Sequence, residues 1–121
     1  MPLDIRKLFE GADNAEIYAT GDVIFRAGAT AHHMYIVVEG DVELRLGERV
    51  LGTSHAGDLL GEMAVVGNHK RSATAVATTH CRLVPINERR FVLLVQETPY
   101  FALHVMKVLA ERIVRKERES G

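Results

Sequence analysis

The residues best equipped for chemistry sit close together in one segment, Gly57-Asp58-Leu59-Leu60-Gly61-Glu62-Met63-Ala64-Val65-Val66-Gly67-Asn68-His69-Lys70-Arg71-Ser72-Ala73-Thr74-Ala75. In order these are a tight glycine turn, one turn of helix, a short polar loop with two cations, and a return into a strand. Gly61 lets backbone approach a ligand closely, and Glu62, Met63 and Ala64 present unpaired N–H groups at a helix start, which is a ready anion site. Arg71 can fold back over them and offer a planar fork of donors to a phosphate. Glu62 is then free to accept a hydroxyl proton from a sugar. The Glu62/Arg71 pair admits two accounts: a structural ion pair that closes the loop, or the two halves of a grip on a small charged nucleotide. A buried pair with no ligand leaves its desolvation incompletely offset, which favours the grip.

The elements that must carry this segment follow from composition and period. The chain has 121 residues, 47% hydrophobic and 26% charged, which fits one globular domain with its own core, spanning 1–121. Fifteen Lys and Arg against sixteen Asp and Glu leave a formal charge of −1, which argues against a basic face for DNA or RNA. No apolar run reaches the ~20 residues of a membrane span, and the N-terminus lacks a signal-peptide core. The lone Cys81 can form no disulfide within the chain, so the expected compartment is the reducing cytoplasm.

From about Glu16 to Ile86 the pattern is strand-like and punctuated by glycine; from Asn87 to about Arg118 it is helical. Asp22–Phe25, Met34–Val38, Val42–Leu46, Arg49–Leu51, Ala73–Thr79 and Cys81–Ile86 read as strands, with Val42, Leu44 and Leu46 alternating against Glu43 and Arg45. Gly47-Glu48 suits a type II′ hairpin. Turn signals every ~8–12 residues predict an all-β sandwich or barrel. Asn87 is the expected N-cap of a first helix, and Thr98-Pro99 starts a second running to about Arg118, with 115–121 as a solvated, fraying end. Ala102, Met106, Leu109 and Ile113 form one apolar seam on that helix. It either packs on the barrel of its own chain or pairs with a second copy in a homodimer.

Other candidates are weaker. Six histidines raise the possibility of a metal-dependent jelly-roll enzyme of the cupin type, but His32 and His33 are adjacent and face opposite ways on a strand. His55, His69, His80 and His104 lack a second ligand at metal spacing, so solvated loop histidines are the expected account and no metal site is assigned. Ser54-His55 is not a nucleophile elbow, no phosphate- or dinucleotide-binding glycine fingerprint is present, and Cys81 reads as a small buried hydrophobe. No constellation points to catalysis.

Leu60-Gly61-Glu62-Met63-Ala64-Val65, a spacer, then Lys70-Arg71-Ser72-Ala73-Thr74 resembles the phosphate-binding cassette of the cyclic nucleotide-binding domain family. That family's pattern is roughly F-G-E-[LIV]-A-L and, after a short spacer, [PR]-R-[AST]-A-[TV]. Gly28, Met34-Tyr35-Ile36-Val37, Gly40 and Gly57-Asp58 resemble its glycine-spaced strands, so the likeness runs from about Ile17 to Ile113. It implies a mainly β fold, an eight-stranded jelly roll with a short N-terminal helix, a cassette helix and two C-terminal helices, the last a lid. It also implies that the Met63 and Ala64 N–H groups and Arg71 hold a cyclic phosphate beside Gly61. Glu62 would bind the ribose 2′-hydroxyl, and Ser72 and Ala73 would complete the contacts. Three departures stand out: Leu60 replaces an aromatic residue, Lys70 takes the place of proline, and the N-terminus offers barely two helical turns.

The resemblance implies a cytoplasmic regulatory module, not an enzyme, with cyclic AMP favoured over cyclic GMP as ligand and no catalytic cofactor. The residues after the seam are too few for a helix-turn-helix, so the expected output lies in a partner protein or in the rest of a longer chain, with no direct DNA or membrane contact. The alternative within the same fold is a nucleotide-free scaffold that dimerises through the seam. Base selectivity is expected from lid residues such as His104, Lys107, Val108 or Arg112.

Overall fold

A computed structural model describes residues 3–67 and 69–120 of the chain. Eight strands are present among these residues: β1 (Glu16–Tyr18), β2 (Val23–Phe25), β3 (His33–Glu39), β4 (Val42–Leu46), β5 (Arg49–Ser54), β6 (Leu59–Leu60), β7 (Thr74–Ala77) and β8 (Cys81–Asn87). A helical turn α1 (Ile5–Leu8) precedes them, and α2 (Glu88–Glu97) and α3 (Pro99–Ser120) follow. The strands form two antiparallel four-stranded sheets, β1-β8-β3-β6 and β2-β7-β4-β5, the jelly-roll arrangement.

The long apolar run in β3 has a direct cause: the strand is covered on both faces. Tyr35 and Val37 point between the sheets, where they meet Val42, Leu60, Ala75, Ala77, Cys81 and Leu83. Met34, Ile36 and Val38 point outward to a second core with Leu59, Val84 and Ile86, closed by Ile5, Phe9, Leu94, Phe101, Val105 and Val108 from the helices. β4 lies at the other extreme. Val42 is buried and Leu44 half-buried, but Leu46 at the hairpin end is exposed, so the expected alternation fades toward the turn. In that hairpin Leu46 pairs with Arg49, and only Gly47, at φ +63°, has positive φ, as the type II′ turn requires.

The helical boundaries fall where capping chemistry puts them. Asn87 caps α2, its side chain accepting from the Arg90 N–H at 2.8 Å, and α3 opens with Pro99 at its first position. Phe101 anchors α3 between the edges of Phe9 and Phe91, with ring centroids 6.1 and 5.7 Å away. The face that packs on the sheet is Phe101, Val105 and Val108. This corrects the expectation that the Ala102–Met106–Leu109–Ile113 seam could be the packing face. The seam is turned from it by about one residue step, ~100° around the helix. Leu109 still borders the core, but Met106 is 64% and Ile113 60% exposed. The 115–118 stretch, expected to fray, is helical and exposed; Gly121 lies outside the described residues.

Gly40 joins β3 to β4 with φ +94°, and a Cβ there would lie 2.7 Å from the Cys81 sulfur and closer still to the His80 carbonyl. Gly40→Ala should therefore combine backbone strain of roughly 1–3 kcal/mol with a collision against backbone, lowering Tm by about 5–15 °C in a thermal melt. An unchanged Tm would show that the β3–β4 turn is not held where the fold requires it.

Candidate functional site

Arg71 is the best-placed charged side chain in the molecule. Backbone pairing fixes its position: its N–H donates to the Ala29 carbonyl at 2.9 Å, and its own carbonyl accepts from Gly28 at 2.8 Å. The side chain turns inward and is only 7% exposed. Its guanidinium lies over the Phe25 ring, 4.2 Å from the centroid, with Tyr35 at 5.9 Å. It donates to the His33 carbonyl at 2.8 Å and, at 3.4 Å, to that of Gly61. Among the described residues no carboxylate lies within ion-pair distance of it. Burial accordingly works against its charged form, with the neighbouring Tyr35 hydroxyl a smaller opposing influence.

Gly61 is required for this packing. It adopts φ +65°, and a Cβ there would collide with Arg71 Nη1. The close approach predicted for Gly61 thus exists, and what approaches is the arginine. The expected cassette helix is only a three-residue 3-10 turn, Glu62–Ala64. That corrects the helix-start reasoning, because a single turn has almost no macrodipole to sum. The Ala64 N–H donates to the Gly61 carbonyl at 3.1 Å, so a ligand would have to share or displace that bond.

Glu62 does not pair with Arg71, which corrects the structural-ion-pair account. Its partner is Arg112 on α3, whose Nη1 donates to Glu62 Oε1 at 2.5 Å while Nη2 donates to the Leu59 carbonyl. About two turns earlier on the same helix, His104 Nε2 donates to the Gly57 carbonyl at 2.7 Å. Two side chains of α3 thus fasten to the single segment 57–62.

Gly61, Glu62, Met63, Ala64, Arg71, Ser72 and Ala73 all line one cavity of about 140 Å³, together with Phe25, Leu44, Leu59, Lys70 and Arg112. Ser72 is exposed and Ala73 buried, while the Met63 side chain is largely exposed. Beyond Arg112 lies a second recess of about 300 Å³, lined by Leu44, Leu51, Gly52, Thr53, Ser54, Asp58, Arg112, Arg115 and Lys116. Leu44 and Arg112 belong to both and divide them. Of the four lid candidates only Arg112 reaches either cavity; His104 holds Gly57, Val108 is in the core and Lys107 is exposed. Leu60, in the usual place of an aromatic residue, is buried between the sheets.

Sequence reasoning missed Phe25 and His33. Phe25 appeared only as part of a short apolar run, and nothing local announces that its ring will lie under a guanidinium 46 residues later. The expectation of solvated loop histidines fails for His104, on α3, and for His33. The latter opens β3 half-buried, its ring edge-on to Tyr35 at 4.9 Å and its Nε2 buried without a partner among the described residues. Burial first, and then the Arg71 cation, hold its pKa below the ordinary histidine value. Among the described residues no group of three or more His, Cys, Asp or Glu is arranged to hold a metal ion. No helix among them is long and apolar enough to cross a membrane.

Comparison with known proteins agrees with this fold. Residues 15–98 match the family model of the cyclic nucleotide-binding domain. The chain is 36% identical over 101 residues to a putative potassium channel protein of Rhodopseudomonas palustris, covering 78% of this chain and 24% of that protein. It is 32% identical over 108 residues to the cyclic AMP receptor protein of Thermus thermophilus, covering 85% and 50%. The chain thus spans half or less of the length of these two relatives. The crystal structure of a Thermus thermophilus catabolite activator protein superimposes with a TM-score of 0.71 at 29% identity, over 93% of this chain and 60% of that one.

If Arg112 fastens α3 to the cassette, Arg112→Gln should free the carboxyl half of the helix. Amide exchange there is expected to rise by about tenfold, the loss of roughly 1.4 kcal/mol of local stability. Unchanged protection along α3 would mean that the apolar face alone holds the helix.

Proposed function

The chain belongs to the cyclic nucleotide-binding domain family, and from that premise we propose that it is a regulatory module that binds a 3′,5′-cyclic nucleotide between Arg71 and Glu62 and signals through α3. The observation that carries this is the Arg71 guanidinium: buried, backed by an aromatic face, bordering a cavity and without a carboxylate partner among the described residues. A buried cation without a counter-charge is costly. An anionic phosphate entering the cavity would supply that charge, with the backbone of Met63, Ala64 and Ala73 and the Ser72 hydroxyl around it.

A cavity of about 140 Å³ is below the ~300–1,000 Å³ of small-molecule sites. The ligand therefore needs the adjoining recess, and Arg112 stands between the two. A ribose hydroxyl seeking Glu62 competes with Arg112 for the same carboxylate, and the base would extend toward Leu51, Gly52 and Thr53. Ligand binding and the Arg112 fastening of α3 are then alternatives at one oxygen, which gives the nucleotide a differential affinity for two positions of the helix. We favour cyclic AMP as the natural ligand, supported by the likeness to a cyclic AMP receptor protein.

The role is one of binding and relay, not of catalysis, within one domain of the reducing cytoplasm. With a net charge of −1 the chain is assigned no direct contact with DNA. Its second partner would be a copy of itself, joined through the Ala102–Met106–Leu109–Ile113 side of α3. Tyr100, Leu103 and Val114 extend that exposed apolar surface. The same surface supports a second account, a scaffold that dimerises without nucleotide.

Titration calorimetry with cyclic AMP and cyclic GMP tests the first account. Arg71→Ala should lose on the order of 2–5 kcal/mol of binding, the usual penalty for truncating one partner of a buried charge pair. No heat from the unsubstituted chain with either nucleotide at millimolar concentration would overturn it. Sedimentation with and without nucleotide separates the two accounts. A dimer broken by Met106→Glu and sensitive to cyclic AMP is expected for the relay, and a nucleotide-indifferent dimer for the scaffold.

A further inference from the structure

His33 plays no part in the grip described above, yet it touches the same arginine. Its carbonyl accepts the shorter of the two Arg71 hydrogen bonds, 2.8 Å against 3.4 Å for Gly61. Its ring stands against Tyr35, over whose other neighbour, Phe25, the guanidinium lies. Its Nε2 is buried and has no partner among the described residues. A neutral ring with its lone pair at Nε2 leaves one acceptor unmet. A charged ring would leave a buried N–H unmet and add a second cation beside Arg71, a much greater cost.

We propose that His33 is a proton-linked positioning residue of the anion site: it holds Arg71 through its carbonyl, and its imidazole takes up a proton when an anionic phosphate binds Arg71. The proposal rests on the cyclic-nucleotide reading of that site. The charged and titratable groups facing the imidazole come from four places. They are Arg71 from the cassette, Glu16 from β1, Tyr35 from β3, and His32 next to it in sequence. Glu16 is the only anion among them, and its Oε1 is already engaged by the Tyr18 hydroxyl at 2.5 Å. Arg71 and His32 oppose a further positive charge. A phosphate on Arg71 removes the larger of these oppositions, so the bound state holds the His33 proton to higher pH than the free state.

Linkage then fixes the sign. The complex binds more protons than the free protein within the window between the two His33 titrations, so affinity strengthens as pH falls through that window. Cyclic AMP binding should tighten as pH falls through that window, by at most about tenfold when the His33 midpoint rises by about 1 in pH on binding. Calorimetry within that window, in buffers of different ionisation enthalpy, should register net proton uptake on binding. Histidine ring NMR of the unsubstituted chain should show the His33 titration moving to higher pH on addition of cyclic AMP. In His33→Gln, proton uptake should vanish and the affinity should lose this pH dependence. Binding without proton uptake, an unmoved His33 titration, or uptake that persists in His33→Gln would overturn the role of His33 while leaving the ligand reading intact. Absence of any nucleotide binding would overturn both.

Discussion

A guanidinium without a counter-ion among the described residues organises the centre of this protein. Arg71 is taken out of water, faced by the Phe25 ring and tied to two carbonyls, and these contacts orient it without neutralising it. Carbonyl oxygens and an aromatic face offset part of the desolvation of a cation, but none carries a formal negative charge. The surrounding architecture is arranged to keep this group in place. The 28–31 loop pairs with 69–71, Gly61 gives up its side chain so that the guanidinium can lie against it, and β3 begins where its carbonyl is needed.

The two cores divide the work of holding that arrangement. The core between the sheets positions Phe25 and Tyr35 around the arginine, while the outer core binds the helices to the opposite face of β3. Alternate residues of one strand therefore serve both cores. This ties the surroundings of Arg71 mechanically to the surface on which α2 and α3 rest, because a shift of β3 cannot move one set of side chains without the other.

α3 has two apolar sides, and its polar fastenings run along the inner one. Its inner side, Phe101, Val105 and Val108, is fixed in the core, while Met106 and Ile113 face outward. Such a helix is amphipathic in neither simple sense, and its outer side is what a partner of matching surface would cover. His104 and Arg112 connect it to segment 57–62 by charge-assisted or polar hydrogen bonds rather than by packing. Polar fastenings of this kind can be exchanged for ligand contacts at modest cost, whereas the Phe101 anchor cannot.

The sequence alone determined what depends on neighbours along the chain. Six of the eight strands, the Gly47 turn, the Asn87 cap and the Pro99 start follow from local conformational preference, while the short strands β1 and β6 carry no such signal and the grouping of Gly61, Glu62, Arg71, Ser72 and Ala73 in one cassette rested on the family resemblance. Tertiary structure decided which charges meet. A direct Glu62–Arg71 ion pair was one of the two accounts open to those residues, yet Glu62 bonds to Arg112, fifty residues away, since α3 crosses the cassette at that point. The stripe of α3 that packs inward was equally beyond local pattern, because two apolar faces give the helix two possible docking rotations. Phe101, wedged between Phe9 and Phe91, with Val105 and Val108 in the same core, selects one of them. Side-chain pairing across a fold is set by how its layers dock, and one-dimensional spacing does not encode the docking angle.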